Sequence, residues 1–357
     1  MTRALHVYAG SVARARIAER GWDPALFSLL LGAAGGPKWL VLSQLDRVLS
    51  SSLLAPARRR APLHAFGTSI GSWRHACLAQ ADPRAAIGRM ELGYIEQRYD
   101  ARPPPERVTA VTSALLDTVL GETGPEELVA GARLRVHIGT VRGLRIVAGA
   151  GRRQQAAGVL LAALANAVDR GLLQRWYQRV VFTSGGLADV GLRFTDFQST
   201  TAPLRPDNVA PALLASASIP LTLEGVRDPP GAPPGRYWDG GIVDYHHDLR
   251  GYAGDGLVLY PHFYGHLIPG WFDKPFRARR PRGALLERVV MLAPSPAFVR
   301  SLPGGKIPDR HDFTRLRTDA RIERWWTVVQ RASALAEEFT DLLARADPLD
   351  GVRSFAA

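Results

Sequence analysis

The chain has 357 residues, of which 46% are hydrophobic and 22% charged, a composition typical of a globular protein with a large core. Its single cysteine, Cys77, excludes an intrachain disulfide and a cysteine-rich zinc site. The formal net charge of +12 favours anionic partners, but the basic residues are scattered and no recognition motif accompanies them, so nucleic-acid binding is not expected.

Charged residues interrupt the segments that could target the chain to a membrane. Arg3, Arg14 and Arg16 leave no uncharged core for a signal peptide in the first twenty residues. No uncharged apolar run reaches the roughly 18 residues needed to span a bilayer. We therefore expect a cytoplasmic protein that meets membranes, if at all, only at their surface.

Two strand, loop and helix units open the chain. The apolar run Phe27–Leu31 predicts a buried strand, which is followed by a glycine loop over 32–38 and by apolar residues at helical spacing up to Leu49. A second unit has a strand at Leu63–Phe66, a glycine turn over 67–71 and a helix over 72–81. Such repeated units predict an α/β fold with a mainly parallel sheet.

The rest of the chain is assigned to the same single domain, 1–357, with a catalytic core at about 25–260. A helical insertion is predicted at about 83–130, with breaks at its proline and glycine clusters, and a C-terminal helical segment at about 312–348. Further strands are predicted at 134–141, 179–183, 256–260 and 288–292, with a helix at 157–170.

Residues 67–71 read GTSIG and fit the pattern G-x-S-x-G between a strand and a helix. In this context the turn exposes the serine, Ser69, as a nucleophile, while Gly67 and Gly71 leave room for neighbouring backbone. Short patterns of this kind also occur where a serine only caps a helix. The sequence leaves both interpretations open.

An acyl-transfer serine needs backbone N–H groups that stabilise the oxyanion. Gly35 and Gly36 follow the first strand and should lie beside Ser69 in a parallel sheet, and the N–H of Ile70 directly follows the nucleophile. The glycine loop could instead hold a phosphate, although it lacks the spacing of the known nucleotide-binding loops.

Asp239, Gly240 and Gly241 form the third candidate element. Burial beside Trp238 would raise the basicity of the carboxylate, and the glycines allow close approach to another backbone. Asp239 could then accept the serine proton directly. A simple turn is the alternative interpretation.

Together these elements resemble the patatin-like phospholipase family. The resemblance rests on AGGPK at 34–38, GTSIG at 67–71, ASASIP at 215–220 and DGG at 239–241, in that order. The family's loop usually reads G-G-G-x-[KR]-G, so Ala34 and Trp39 depart from it while Lys38 matches. These departures bear on which N–H groups face the oxyanion.

The resemblance implies a three-layer α/β/α fold and a Ser69–Asp239 dyad that needs neither histidine, metal nor cofactor. It also implies hydrolysis of lipid or small acyl esters, in the manner of a phospholipase A. Two alternatives stay open: a serine–histidine–aspartate triad, and a catalytically silent lipid-binding protein. The triad would use one of the histidines that follow Asp239, which are His246, His247, His262, His266 and His311.

Several other residues have weaker signals. Lys38 could add positive charge near the oxyanion or simply be solvated at a helix start. Trp39, Trp73 and the pair Trp271 and Phe272 could line an acyl pocket, contact a membrane or pack in the core. The arginine-rich run 277–282 could meet anionic lipid headgroups or form a solvated loop.

Overall fold

A computed structural model of the chain describes residues 3–59, 62–99, 103–149 and 151–355. Within these ranges the chain forms one mixed, mostly parallel sheet against which helices pack, which makes it an α/β protein. The strands are β1 Leu5–Ala9, β2 Phe27–Gly32, β3 Leu63–Thr68, β4 Leu134–Gly143, β5 Tyr177–Thr183, β6 Ser199–Pro203, β7 Val226–Arg227, β8 Arg236–Asp239, β9 Leu257–Pro261, β10 Val289–Pro294 and β11 Val352–Arg353.

The helices surround this sheet and include the predicted insertion. They are α1 Ser11–Arg20, α2 Ser43–Ser51, α3 Ile70–Ala79, α4 Pro83–Ile95, α5 Pro105–Leu120, α6 Gly124–Ala130, α7 Arg152–Val168, α8 Pro206–Ala217, α9 Pro296–Ser301, α10 Asp312–Arg315, α11 Thr318–Arg331 and α12 Ser333–Leu343. None of the helices in the described ranges has both the length and the apolar character needed to cross a bilayer.

The strand order is β11-β1-β10-β9-β2-β3-β4-β5-β6, with β8 paired to β4 and β7 paired to β8. Strands β2, β3, β4, β9 and β10 run parallel to one another, whereas β1, β5 and β8 run antiparallel to their neighbours β10 and β4. The central strands are buried along nearly their whole length. Their continuous apolar runs follow from coverage on both faces.

The six strands predicted from apolar runs are confirmed as β2, β3, β4, β5, β9 and β10, and helices α4 to α6 occupy the predicted insertion. The predicted helices differ in their bounds. The helix predicted over 72–81 forms at Ile70–Ala79, directly after Ser69, and the helix predicted over 157–170 is α7, Arg152–Val168. The C-terminal segment forms three helices, α10 to α12. The sheet also extends past 25–260, since β1, β10 and β11 join it.

Strand β4 pairs with β3 along its first part and with β8 along its last part. Its first part pairs with β3, so that Thr68 lies opposite Gly139, and its last part pairs with β8, so that Asp239 lies opposite Thr140. Because Gly139 and Thr140 are adjacent, the end of β3 and the end of β8 meet. The residues that follow Thr68 therefore lie close to the side chain of Asp239, at the same edge of the sheet.

Candidate active site

Ser69 occupies a sharp turn between β3 and α3. Its backbone has φ of 53° and ψ of −133°, a positive φ that residues other than glycine rarely adopt. A Cβ atom at Gly67 would lie 2.7 Å from the backbone of Gly71, and one at Gly71 would lie 2.2 Å from the carbonyl oxygen of Gly32. Close backbone packing therefore requires both glycines of the predicted motif.

The Ser69 hydroxyl is directed at Asp239 and does not cap the helix. Ser69 stands at the N-cap position of α3 without a side-chain bond to it. Its Oγ donates a hydrogen bond of 2.7 Å to Asp239 Oδ2. The interpretation of the motif as a helix cap is wrong for this serine.

The Asp239 carboxylate is fixed by two donors, Ser69 Oγ and the N–H of Gly241, and its backbone is fixed by close packing of the turn that follows it. Its Oδ1 accepts the N–H of Gly241 at 2.7 Å, and its own N–H donates to Ser218 O at 2.9 Å. A Cβ atom at Gly240 would lie 2.2 Å from Gly139 O. The turn and the strand β4 thus hold each other in place.

Burial raises the pKa of Asp239 to about 6. The hydrogen bonds from Ser69 and Gly241 and the positive charges of Lys274 and Arg310 act in the opposite direction. A carboxylate with a raised pKa accepts a proton more readily than one in water. The group is ionised near neutral pH and is still a better base than a solvated aspartate.

Ser216, near the C-terminal end of α8, is hydrogen-bonded to the backbone of the turn that carries Ser69. Its Oγ accepts the N–H of Ser69 at 2.8 Å and donates to Gly139 O at 2.7 Å. Ser72 contributes a further bond from its Oγ to Ser69 O at 2.7 Å. Sequence reasoning quoted residues 215–220 as part of the family pattern but assigned no role to Ser216.

Gly35 and Gly36 line the same cavity as Ser69 and Asp239. The loop is anchored by the N–H of Ala34, which donates to Tyr245 O at 2.9 Å. Gly36 has φ of 55°, which favours glycine. Within the described ranges the N–H groups of Gly35, Gly36 and Ile70 have no acceptor. Gly35 and Gly36 line the cavity, whereas Ile70, which directly follows Ser69, is not one of its lining residues.

The cavity around Ser69 has a volume of about 230 Å³. The apolar part of its wall is formed by Ile219, Pro220, Ile242 and Trp271. Lys274 and His311 are exposed and mark the opening to solvent. Trp39 and Trp73, by contrast, are buried in the hydrophobic core and do not line the cavity.

Three cations line this cavity, namely Lys38, Lys274 and Arg310, and none forms an ion pair with a described carboxylate. Burial lowers the pKa of Lys38, and Arg310 acts in the same direction. Desolvation together with Lys38 and Arg310 lowers the pKa of Lys274 to about 7.

Aromatic rings hold the two cations at the mouth of the cavity. Lys274 Nζ lies 4.3 Å from the centre of the Tyr245 ring, and Arg310 Cζ lies 5.5 Å from that of Trp271.

The chain has only three lysines. Two of them line this cavity, and the third, Lys306, pairs with Asp309, which also lines it, and with the buried Asp312.

A buried ion pair is connected to Thr68, the residue before Ser69. Arg179 donates two hydrogen bonds of 2.7 Å to the carboxylate of Asp244, whose backbone oxygen accepts the Thr68 hydroxyl at 2.7 Å. Although burial raises it, the Arg179 guanidinium holds the pKa of Asp244 well below its usual range. The pair therefore stays charged and supports the end of β3.

The five late histidines lie in different surroundings. His246 and His262 are buried, and their Nδ1 atoms accept backbone N–H groups, while His247 contacts Asp244 at 3.3 Å. His266 stacks on Tyr264, and His311 lines the cavity. Among the described residues no histidine nitrogen is hydrogen-bonded to Ser69 or Asp239.

Comparison of the chain with protein-family models gives no match, and neither does comparison with curated proteins.

Proposed function

We propose that this protein is a serine acyl-ester hydrolase of the patatin-like phospholipase type, with a three-layer α/β/α fold, acting in the cytoplasm. One observation carries the proposal: Ser69 Oγ donates directly to Asp239 Oδ2 at 2.7 Å. A nucleophile in contact with a carboxylate of raised pKa can be activated without a histidine. No cofactor or metal enters the proposed reaction.

The reaction begins when Ser69 Oγ attacks the ester carbonyl carbon and Asp239 Oδ2 accepts the hydroxyl proton. The carbonyl oxygen becomes an oxyanion that the N–H groups of Gly35, Gly36 and Ile70 stabilise. Collapse of this intermediate expels the alcohol, which takes the proton from Asp239. A water molecule, deprotonated by Asp239, then attacks the acyl carbon, the bond between this carbon and Ser69 Oγ breaks to release the acid, and Asp239 returns the proton to Ser69 Oγ.

The charge of the cavity supports a substrate with an anionic group near the ester. Lys38, Lys274 and Arg310 lack carboxylate partners among the described residues, and a phosphodiester would neutralise part of their charge. A volume of about 230 Å³ is below the range typical for drug-sized ligands. A long acyl chain would therefore extend out of the cavity, as expected for a phospholipid substrate.

The proposal is tested by measuring hydrolysis of p-nitrophenyl esters and of phospholipids. We expect Ser69→Ala and Asp239→Asn each to lose activity by about a thousandfold or more. Retention of wild-type rates by both variants would overturn the proposal and favour a catalytically silent lipid-binding protein.

His311→Ala serves to distinguish the dyad from a triad, because His311 is a late histidine that lines the cavity. The dyad predicts that this variant keeps most of its activity. Loss of activity as complete as that of Ser69→Ala would favour the triad. Near-ultraviolet circular dichroism checks that each variant keeps its packing.

A further inference from the structure

Helix α7 exposes the apolar side chains that a surface helix normally buries. The residues it turns inward are polar or small and include Gln155, Gly158 and Asn166. The described residues have five large hydrophobic side chains that are strongly exposed, and four of them are on this helix. They are Leu160 at 60%, Leu161 at 45%, Leu164 at 57% and Val168 at 81%.

This orientation is fixed by buried polar bonds. Asn166 Nδ2 donates to Asp273 Oδ1 at 3.0 Å, and Arg279 Nη1 donates to Asn166 O at 2.7 Å. Rotation of the helix to hide its leucines would break these bonds and bury unpaired polar groups. The apolar face is therefore a permanent part of the surface, and a contiguous patch of this kind indicates an interaction site.

Positive charge adjoins both ends of the apolar face. The helix contains no acidic residue and begins with Arg152 and Arg153. At its C-terminal end, Arg279 donates to the carbonyl oxygens of Asn166 and Ala167, which holds the run 277–282 beside the last turn. That run has four arginines and no acid, and Asp169 directly follows the helix in sequence. The other carboxylate in contact with this region, Asp273, is buried and pairs with Arg279, which leaves Arg277, Arg280 and Arg282 of the run.

On its buried side, α7 packs against an element that carries cavity residues. The turn Trp271–Asp273 packs against α7. Trp271 belongs to this turn and also lines the cavity. Lys274, the first residue after the turn, lines the cavity as well. The helix is therefore connected to the cavity wall through this turn.

We propose that α7 docks the protein on anionic lipid bilayers, with its leucines in the acyl boundary and the flanking arginines at the headgroups. Apolar side chains bordered by cations fit an interface that is apolar inside and negative outside. A second copy of the chain would cover the leucines but would place the arginine runs of two copies near one another. The inference goes beyond the proposed hydrolysis and does not depend on it.

The test measures binding of the whole protein to sedimented vesicles of ether-linked lipids, which contain no ester to cleave. One set contains phosphatidylcholine alone, and the other contains an equal share of phosphatidylglycerol. We expect binding to the anionic vesicles that weakens as salt increases. The double variant Leu160→Gln with Leu164→Gln should bind about tenfold more weakly or worse, since it removes inserted apolar area.

Leu92→Gln is the matched control, because Leu92 is 57% exposed but lies on α4. It should bind as the wild type does. A second variant and its control test the role of charge separately from that of apolar insertion. The double variant Arg277→Gln with Arg280→Gln should weaken binding to anionic vesicles, while the control Arg84→Gln on α4 should not. All these positions are outside the buried core, so the variants should fold.

Three results would overturn the proposal. The wild type could fail to sediment with anionic vesicles, or the α7 variant could bind as tightly as Leu92→Gln. Alternatively, analytical ultracentrifugation could find a dimer that the α7 variant dissociates, with vesicle binding unchanged. The last result would assign the apolar face to a second copy of the chain.

Discussion

Ser69 and Asp239 are 170 positions apart in the chain, and their side chains meet at 2.7 Å because one strand aligns both. Strand β4 places Thr68 opposite Gly139 and Asp239 opposite Thr140. The geometry of the dyad is thus a property of strand register. Changes that disturb this register should act on catalysis as strongly as changes to the dyad itself.

The rate of ester hydrolysis should depend on the ionisation of Asp239. Burial raises the pKa of this carboxyl group to about 6, and only the ionised form can accept the Ser69 proton. We therefore expect kcat/KM to fall about tenfold per pH unit below about pH 6 and to level off above it. A pH profile with a neutral ester measures this, and a profile that stays flat between pH 4 and 7 would contradict the assignment of the base.

Ser216→Ala should impair the nucleophile turn without touching substrate. The change leaves the buried N–H of Ser69 and the carbonyl of Gly139 without their partner, which should cost about 1–3 kcal/mol of stability. We expect a lower Tm and a kcat reduced by about tenfold with KM little changed.

Ser218→Ala is the control for this prediction, since among the described residues the hydroxyl of Ser218, which directly follows α8, bonds only to Leu214 O in that helix. Its kcat should stay near the wild-type value. Equal losses in the two variants would show that the Ser216 hydroxyl has no special role in the turn.

Gly71→Ala should be strongly destabilising, because a Cβ atom there would lie 2.2 Å from Gly32 O in the neighbouring strand. We expect a loss of about 3 kcal/mol or more, or failure to fold. Gly88→Ala, in the interior of α4, meets only a side-chain atom at 3.8 Å and should be neutral or stabilising. Urea unfolding compares the two, and equal stability of the two variants would contradict the packing argument.

Removal of a cavity cation should affect charged and neutral substrates differently. Lys274→Met is expected to raise KM about tenfold for an ester with a nearby phosphate, because a charge-assisted contact is lost. The KM of an uncharged ester of equal acyl length should stay within about twofold. The same rise for both substrates would indicate that Lys274 shapes the cavity and does not recognise charge.

The elements that the sequence predicts are those whose signals are local. Strands β2 and β3 are mainly apolar and are followed by glycine turns, and these features identify them without tertiary context. The positions of Ser69 and Asp239 were likewise found, because each lies in a short glycine pattern. Their mutual distance depends on register and could only be expected from the family resemblance.

Other elements lack such signals. Strand β6 reads STTAP and is half polar, and α8 contains Pro211 in its interior, so that neither pattern favours the structure that forms. The role of Ser216 depends on where α8 ends relative to β3, which no local pattern encodes. The exposure of the α7 leucines could not be predicted from the sequence either, since the apolar spacing of this helix alone predicts an ordinary buried face.

The central claim is that Ser69 is a nucleophile activated by Asp239, and covalent labelling tests it most directly. Folded protein is treated with a fluorophosphonate, and mass spectrometry measures the rate at which the peptide carrying Ser69 is modified. The account predicts labelling of Ser69 in the wild type and labelling slowed by about a hundredfold or more in Asp239→Asn. No label on Ser69 in the folded wild type, or equal rates in both proteins, would contradict it.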